Sequence, residues 1–355
     1  GQSVDGNSIS FKALEKITVE GEVLDASGQL VTDFTGIVNP TVKDSKVTVT
    51  CLKNSNKDDS PAFTFTDYPN TIFIGNDSVR NGKFSFTFTV PKDISYSNLQ
   101  GKMNLYAVDT ESGNEAQGNF DNFIVGGTSD TAETDTIGPE IRALYLNDTT
   151  FVDGGQVNTT PYFVAELWDK SGVNITGSSV GHDMMLVIDE STVLSYNLNS
   201  YYELLLGEDG TGIVKFPIPA LEPGKHTAEF WVWDILNNST VRTFTFEVVE
   251  GLKPFLFDVI ATPGIAREQV TFHLMHNRPE SRMRVGIMVY DLAGRQLWKH
   301  EESGTSGLFE NYTVSWDLTS GGARMRPGVY IYRAAISTDN SKDATKARKF
   351  IILGE

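Results

Sequence analysis

The sequence predicts an all-β chain of three tandem immunoglobulin-like β-sandwich domains, and three observations carry that expectation. Apolar and polar residues alternate with period two over short stretches, Gly, Asn, Asp and Pro interrupt them about every ten residues, and helical spacing is nearly absent. Length agrees, because 355 residues fit two or three cores at roughly 100–200 residues per domain.

Taken in order, the first domain is expected over 10–125, as an immunoglobulin-like or macroglobulin-like sandwich. Its strands include Ile17-Thr18-Val19-Glu20-Gly21-Glu22-Val23-Leu24, followed by a turn at Asp25-Ala26-Ser27-Gly28. Lys46-Val47-Thr48-Val49-Thr50-Cys51 and Phe84-Ser85-Phe86-Thr87-Phe88-Thr89-Val90 alternate in the same way, and Pro91 stops the second ladder. Residues 126–138 hold almost nothing that could enter a core and lead to Pro139, so they are expected to be a linker. A second domain is expected over 139–250, with strands near 141–146, 163–168, 185–188, 227–233 and 243–249. A third, over 255–355, follows a break at Val249-Glu250-Gly251-Leu252-Lys253-Pro254, with strands at 284–291, 328–333 and 348–353 and a Trp316-Asp317 pair between them.

Composition narrows the function. A hydrophobic share of 39% with 32 Gly suits packed domains and excludes wholesale disorder. The longest apolar runs, such as 350–353, fall well short of the roughly 18 residues of a spanning helix, so no membrane-spanning segment is expected. Net charge is −17, but 14 Lys and Arg against 11 Asp and Glu from Lys253 onward leave 15 against 35 upstream. A chain so acidic lacks the basic footprint that nucleic acid requires. Gly1 in place of an initiator Met reads as a cut start, with the natural N-terminus elsewhere.

Catalytic chemistry is thin. The single Cys51 shares the alternation face of Val47 and Val49, which predicts a small buried hydrophobe, and the first domain contains no His to activate it. His273 and His276 fall on opposite faces of a strand and make a poor zinc pair. Gly181-His182-Asp183 holds the ingredients of a general base, yet a turn histidine bonded to a neighbouring loop is the better reading. No cofactor is expected. Three oxygen-rich loops, 54–60, Asp169-Lys170-Ser171-Gly172-Val173-Asn174 and Glu208-Asp209-Gly210, could hold Ca²⁺, although none has an EF-hand register. Trp231 and Trp233 share one strand face and are expected to point inward as a core pair.

Several motifs of the third domain resemble the C-terminal domain of cargo of the type IX secretion system of Bacteroidetes. These are Pro263, Val289-Tyr290-Asp291-Leu292-Ala293-Gly294-Arg295, Trp316-Asp317, Pro327-Gly328-Val329-Tyr330-Ile331-Tyr332 and Arg348-Lys349-Phe350-Ile351-Ile352. Upstream, Phe123-Ile124-Val125-Gly126-Gly127, Gly138-Pro139-Glu140-Ile141, Asp169-Lys170-Ser171-Gly172-Val173-Asn174, Gly181-His182-Asp183, Leu198-Asn199-Ser200-Tyr201-Tyr202 and Trp233-Asp234-Ile235-Leu236-Asn237-Asn238-Ser239 resemble the non-catalytic β-domains of that system's sortase, a gingipain-like cysteine endopeptidase. The resemblance implies an exported protein at the outer-membrane surface that cleaves secretion domains from cargo. It also implies that the catalytic Cys and His belong to a peptidase domain upstream in the same chain, so this stretch by itself is expected to be inert. The implied partners are that peptidase domain and the secretion translocon or its outer-membrane shuttle. Gly328, Tyr330, Arg348 and Lys349 on the last two strands are the candidate docking residues. The Asp130-Thr131-Ala132 and Asp135-Thr136-Ile137 triplets also resemble O-glycosylation signals of exported Bacteroidetes proteins. The alternative is a surface adhesin or glycan-binding module whose tandem sandwiches present polar loops.

Overall fold

A computed structural model describes residues 9–53, 61–130, 134–177, 181–205, 210–338 and 340–354. Among these the chain is all-β, an immunoglobulin-like sandwich architecture, and the one helical element is a 3-10 turn at Asn199–Tyr201. No helix among the described residues is long and apolar enough to cross a membrane. The chain forms two compact units: Gly1–Leu144 with Ala165–Lys215 and Ala228–Thr243, and Tyr145–Val164 with Phe216–Thr227 and Phe244–Glu355.

In the first unit, alternation builds the core directly. Lys16–Glu22 pairs antiparallel with Lys83–Thr89, setting Ile17 opposite Phe88 and Val19 opposite Phe86. Phe84, Phe86 and Phe88 turn inward while Ser85 and Thr87 face water. Phe73 stacks on Phe88 at 4.8 Å, and Phe11 on Phe123 at 4.3 Å. Each large apolar side chain so buried contributes about 1.5–3 kcal/mol. A sheet ordered Glu115–Phe120, Lys102–Asp109, Gly36–Lys43, Thr71–Ile74 buries Val38, Val42, Met103 and Ala107 on one face only. At the turn out of Lys102–Asp109, Asp109 accepts the N–H groups of Thr35, Glu111 and Ser112, which hold its carboxyl down at about 2.

Residues 140–248 supply a four-stranded sheet, Glu140–Leu146, Tyr162–Trp168, Thr211–Pro217, Tyr202–Leu204, and a five-stranded one, Gln156–Val157, Ser239–Val248, Gly224–Trp233, Met185–Ile188, Ser195–Asn197. Gly224–Trp233 and Ser239–Val248 are longer than the expected 227–233 and 243–249. The turn between them is tight: Asp234 N–H donates to the Asn238 carbonyl at 2.9 Å, and Asn237 takes φ 73°.

The second unit contains a sandwich. One sheet runs Leu256–Thr262, Val270–His276, Tyr312–Trp316, and the other Ile265–Ala266, Ala344–Ile352, Gly328–Ser337, Met283–Tyr290, Gln296–Gly304. Val270, Phe272 and Leu274 of the first sheet join Val285, Ile287, Val289, Tyr332, Ala334, Phe350 and Ile352 of the second in one core. Tyr332 satisfies its buried hydroxyl by donating to the Val259 carbonyl at 3.0 Å.

Three expectations are corrected. Cys51 is exposed, not buried. Among the described residues the strand before it, Val47–Thr50, pairs only with Thr64–Asp67, and a two-stranded ribbon leaves Val47 and Val49 half-covered. Trp231 and Trp233 lie on the face opposite the core, because Ala228, Phe230 and Val232 take the buried positions and leave both indoles half-buried. Finally, the strand Phe123–Thr128 runs three residues into the expected linker, pairing parallel with Ile9–Ala13 through Ala13 and Thr128.

Candidate functional site

Three aspartates meet in the first unit. Asp169 follows the strand Tyr162–Trp168, and its Oδ1 accepts the N–H groups of Ser171 at 2.7 Å and Gly172 at 2.9 Å. Asp234 follows Gly224–Trp233; its Oδ1 accepts Leu236 N–H at 2.9 Å and Asn238 N–H at 2.7 Å, and its Oδ2 accepts the Asn238 amide at 2.6 Å. Asp135 accepts Ile137 N–H at 3.0 Å and the Ser171 hydroxyl at 3.0 Å, while its carbonyl takes the Asn238 amide at 3.1 Å. One carboxylate oxygen from each lies within 4.8 Å of the others.

Burial and mutual repulsion govern their protonation. Asp169, 4% exposed, is pushed up to about 6, first by desolvation and then by the charges of Asp234 and Asp135. Desolvation also raises Asp234, whereas the Ile137 N–H leads in holding Asp135 below the usual carboxylate range. Two ligands of one Ca²⁺, each about 2.3–2.6 Å from it, stand within about 5 Å of each other, so the three oxygens could serve as part of an all-oxygen shell. The loop 169–174 expected from sequence thus contributes Asp169, and sequence reading missed Asp135 and Asp234 as its companions. The 54–60 loop and Glu208 and Asp209 lie outside the described residues.

A consequence for stability follows from Asp169. Between about pH 4 and 6 the folded state keeps a proton that the unfolded chain has released, so this group's contribution becomes less favourable as pH rises through that window. Asp169→Asn keeps the Oδ1 acceptor and removes the charge. In chelator-treated protein it should raise unfolding stability by about 1–3 kcal/mol at pH 7.5 and leave it unchanged near pH 4. Urea midpoints at the two pH values check this, and equal shifts at both would contradict it.

Nearby, His182 meets Asp93 rather than its sequence neighbour Asp183. Its Nδ1 lies 2.6 Å from Asp93 Oδ2, and its ring sits 4.5 Å from the Trp233 ring. Asp183 instead accepts the Asn199 amide at 2.7 Å. Asp93 also accepts the amides of Asn174 at 3.3 Å and Asn237 at 2.9 Å, and Lys92 N–H donates to the Ile235 carbonyl at 2.8 Å. An imidazole held by a carboxylate is two-thirds of a triad, but the groups that converge here are amides and an indole. The arrangement ties the 91–94 loop to the loops at 174 and 235–237.

The candidate docking residues lie on the paired strands Gly328–Ser337 and Ala344–Ile352. Gly328 and Lys349 are exposed. Arg348 forms an ion pair with Asp258 at 2.8 Å, and Tyr330 is buried at 7% exposure, donating its hydroxyl to the Arg326 carbonyl. His276 is committed as well: it accepts Arg278 N–H at 3.1 Å, its Nε2 lies 2.9 Å from the Ser306 hydroxyl, and burial pushes it down to about 4.

No family model matches the chain, and no curated protein matches it. Among solved structures, the dimeric latent PorU of Porphyromonas gingivalis is 37% identical over 100% of this chain and 33% of its own, with a TM-score of 0.43. A glucan-utilisation protein of Bacteroides ovatus, SGBP-B in complex with a mixed-linkage heptasaccharide, is 9% identical over 100% of this chain and 68% of its own, TM-score 0.25. The N-terminal Ig1-2 module of the Drosophila receptor tyrosine phosphatase DLAR is 9% identical over 62% of this chain and 100% of its own, TM-score 0.24. Only the first likeness is carried by sequence identity, and in it this chain spans about a third of the other's length. This chain is similar to PorU over all of its own residues and a third of PorU's.

Proposed function

We propose that this chain is the non-catalytic scaffold and docking region of a cell-surface, gingipain-like type IX sortase. On this reading it consists of three sandwich modules, 10–125, 139–250 and 255–355, with 126–138 between the first two. The observation that carries the reading is the 37% identity to PorU, sustained over the whole chain. The chemistry of the described residues supports it: Cys51 sits on an exposed ribbon, and the His182–Asp93 pair is occupied by amides. The cysteine endopeptidase that releases secretion domains from cargo belongs to another part of the polypeptide.

The last module serves export and outer-membrane anchoring, and its partner is the translocon or the outer-membrane shuttle. Lys349, opposite Ile331, and the exposed part of Arg348, opposite Tyr332, supply positive charge on the strand that pairs with Gly328–Ser337, while Tyr330 shapes that strand from within. Charge at the rim of an interface mainly steers encounter. Appended whole to a periplasmic reporter in a type IX-competent cell, the chain should carry the reporter to the surface. The double change Arg348→Glu and Lys349→Glu should lower the surface fraction about fivefold. A reporter that stays periplasmic with the unaltered chain would overturn the reading.

A further inference from the structure

We propose that the outer face of the sheet formed by Gly36–Lys43, Lys102–Asp109 and Glu115–Phe120 is a binding site for a neutral oligosaccharide. The inference stands apart from the docking reading, since it concerns another surface.

Register places six side chains on this face in two rows. Thr41 lies opposite Asn104 and Asn104 opposite Asn119; Asn39 lies opposite Tyr106 and Tyr106 opposite Gln117. The residues flanking these positions on the two inner strands, Val38 and Val42 on one, Met103 and Ala107 on the other, are buried in the core, which fixes the six as outward-facing. All but the half-buried Thr41 are exposed. Strand spacing makes the platform about 10 Å across the strands and 7 Å along them. An open depression of about 600 Å³ covers it, within the range of about 300–1,000 Å³ typical of ligand sites.

Its chemistry is unusual for this chain. Charged residues make up 21% of the sequence, with a net −17, yet none of the six positions carries a charge. Four are amides: Asn39, Asn104, Gln117 and Asn119 each present a carbonyl acceptor beside an NH₂ donor. That pairing matches adjacent sugar hydroxyls, each of which donates once and accepts twice. Tyr106, 40% exposed, supplies the flat ring against which the C–H face of a pyranose packs. Its hydroxyl donates to Glu115, an anchor that limits its rotation.

Charge selects the occupant. A polyanion would meet the field of an acidic chain, and a protein partner would be expected to bring apolar anchors to a platform that offers only one aromatic ring. A neutral, hydroxyl-rich chain meets neither obstacle. Glu115–Phe120 is the edge strand of its sheet, so an extended oligosaccharide can pass over that side without a wall.

Calorimetric titration of the intact chain with maltohexaose, cellohexaose and mannohexaose tests the proposal, with polygalacturonate as the anionic comparison. At least one neutral hexasaccharide should bind with Kd between about 10 µM and 1 mM. Tyr106→Ala should weaken that binding at least about tenfold, as should the pair Asn104→Ala and Gln117→Ala, with urea midpoints unchanged because the side chains are exposed. Lys299→Ala, in the other unit, should leave binding as it was. Failure of all three neutral probes to bind at 10 mM, roughly ten times the weakest expected Kd, binding of polygalacturonate alone, or full binding by Tyr106→Ala would each overturn the proposal.

Discussion

Phe272→Ala is expected to destabilise the second unit by about 3–5 kcal/mol, the range for deleting a fully buried phenyl ring and leaving a cavity. Phe272 is 0% exposed and lies at the centre of an aromatic group, with Tyr332 at 4.9 Å, Phe350 at 6.0 Å and Trp298 at 6.4 Å. These partners come from three different strands of the facing sheet, so relaxation around the hole requires all three to move together. Trp298 and Trp316 stack at 4.5 Å beside the site, so part of the tryptophan fluorescence reports on this unit. The unfolding transition read from them should move to lower urea. Because a chain with more than one unit need not unfold in one step, the midpoint of this transition is the quantity to compare. A loss below about 1 kcal/mol would show that the aromatic group is not cooperative. If the last module directs export, the same variant should also carry less reporter to the surface.

Alternation made the fold legible because a strand half-buried in a sandwich writes its inner face into every second residue, as Phe84, Phe86 and Phe88 do. It does not say how many strands cover that face. Cys51 shows this, for the same pattern on a two-stranded ribbon leaves it in water. Nor does it say which face is inner when both are apolar: in Phe230-Trp231-Val232-Trp233 the smaller Val232 and Phe230 took the core and the indoles stayed outside. The sites were less legible still. Asp93 and His182 are 89 positions apart, and among 46 acidic residues nothing in the spacing singles out Asp93. Asp169 was visible through its turn, but its companions Asp135 and Asp234 come from a stretch read as linker and from a hairpin turn. Loops meet where strand order brings them, and strand order is a long-range property.

Asp93→Ala should be the most damaging single change at the loop tie, costing about 2–4 kcal/mol locally. The carboxylate, 7% exposed, receives the His182 ring and the amides of Asn174 and Asn237. Its removal leaves three donors without their acceptor in a poorly hydrated place, and unmade bonds cost more than made bonds contribute. His182→Phe keeps a ring against Trp233 and loses one hydrogen bond at a half-buried position, so it should cost only about 1 kcal/mol. The ordering of the two variants separates a carboxylate that organises donors from a simple pairwise contact, which would make them equal. Hydrogen exchange reports the event where it happens. Lys92 N–H donates to Ile235 and Ile235 N–H to Gly172, at 2.8 and 3.0 Å. If Asp93 holds these loops together, both amides should exchange at least about tenfold faster in Asp93→Ala, one decade for each 1.4 kcal/mol of lost local stability. Unchanged exchange at Lys92 and Ile235 would mean that the backbone bonds alone keep the loops joined, and that the buried carboxylate has another role.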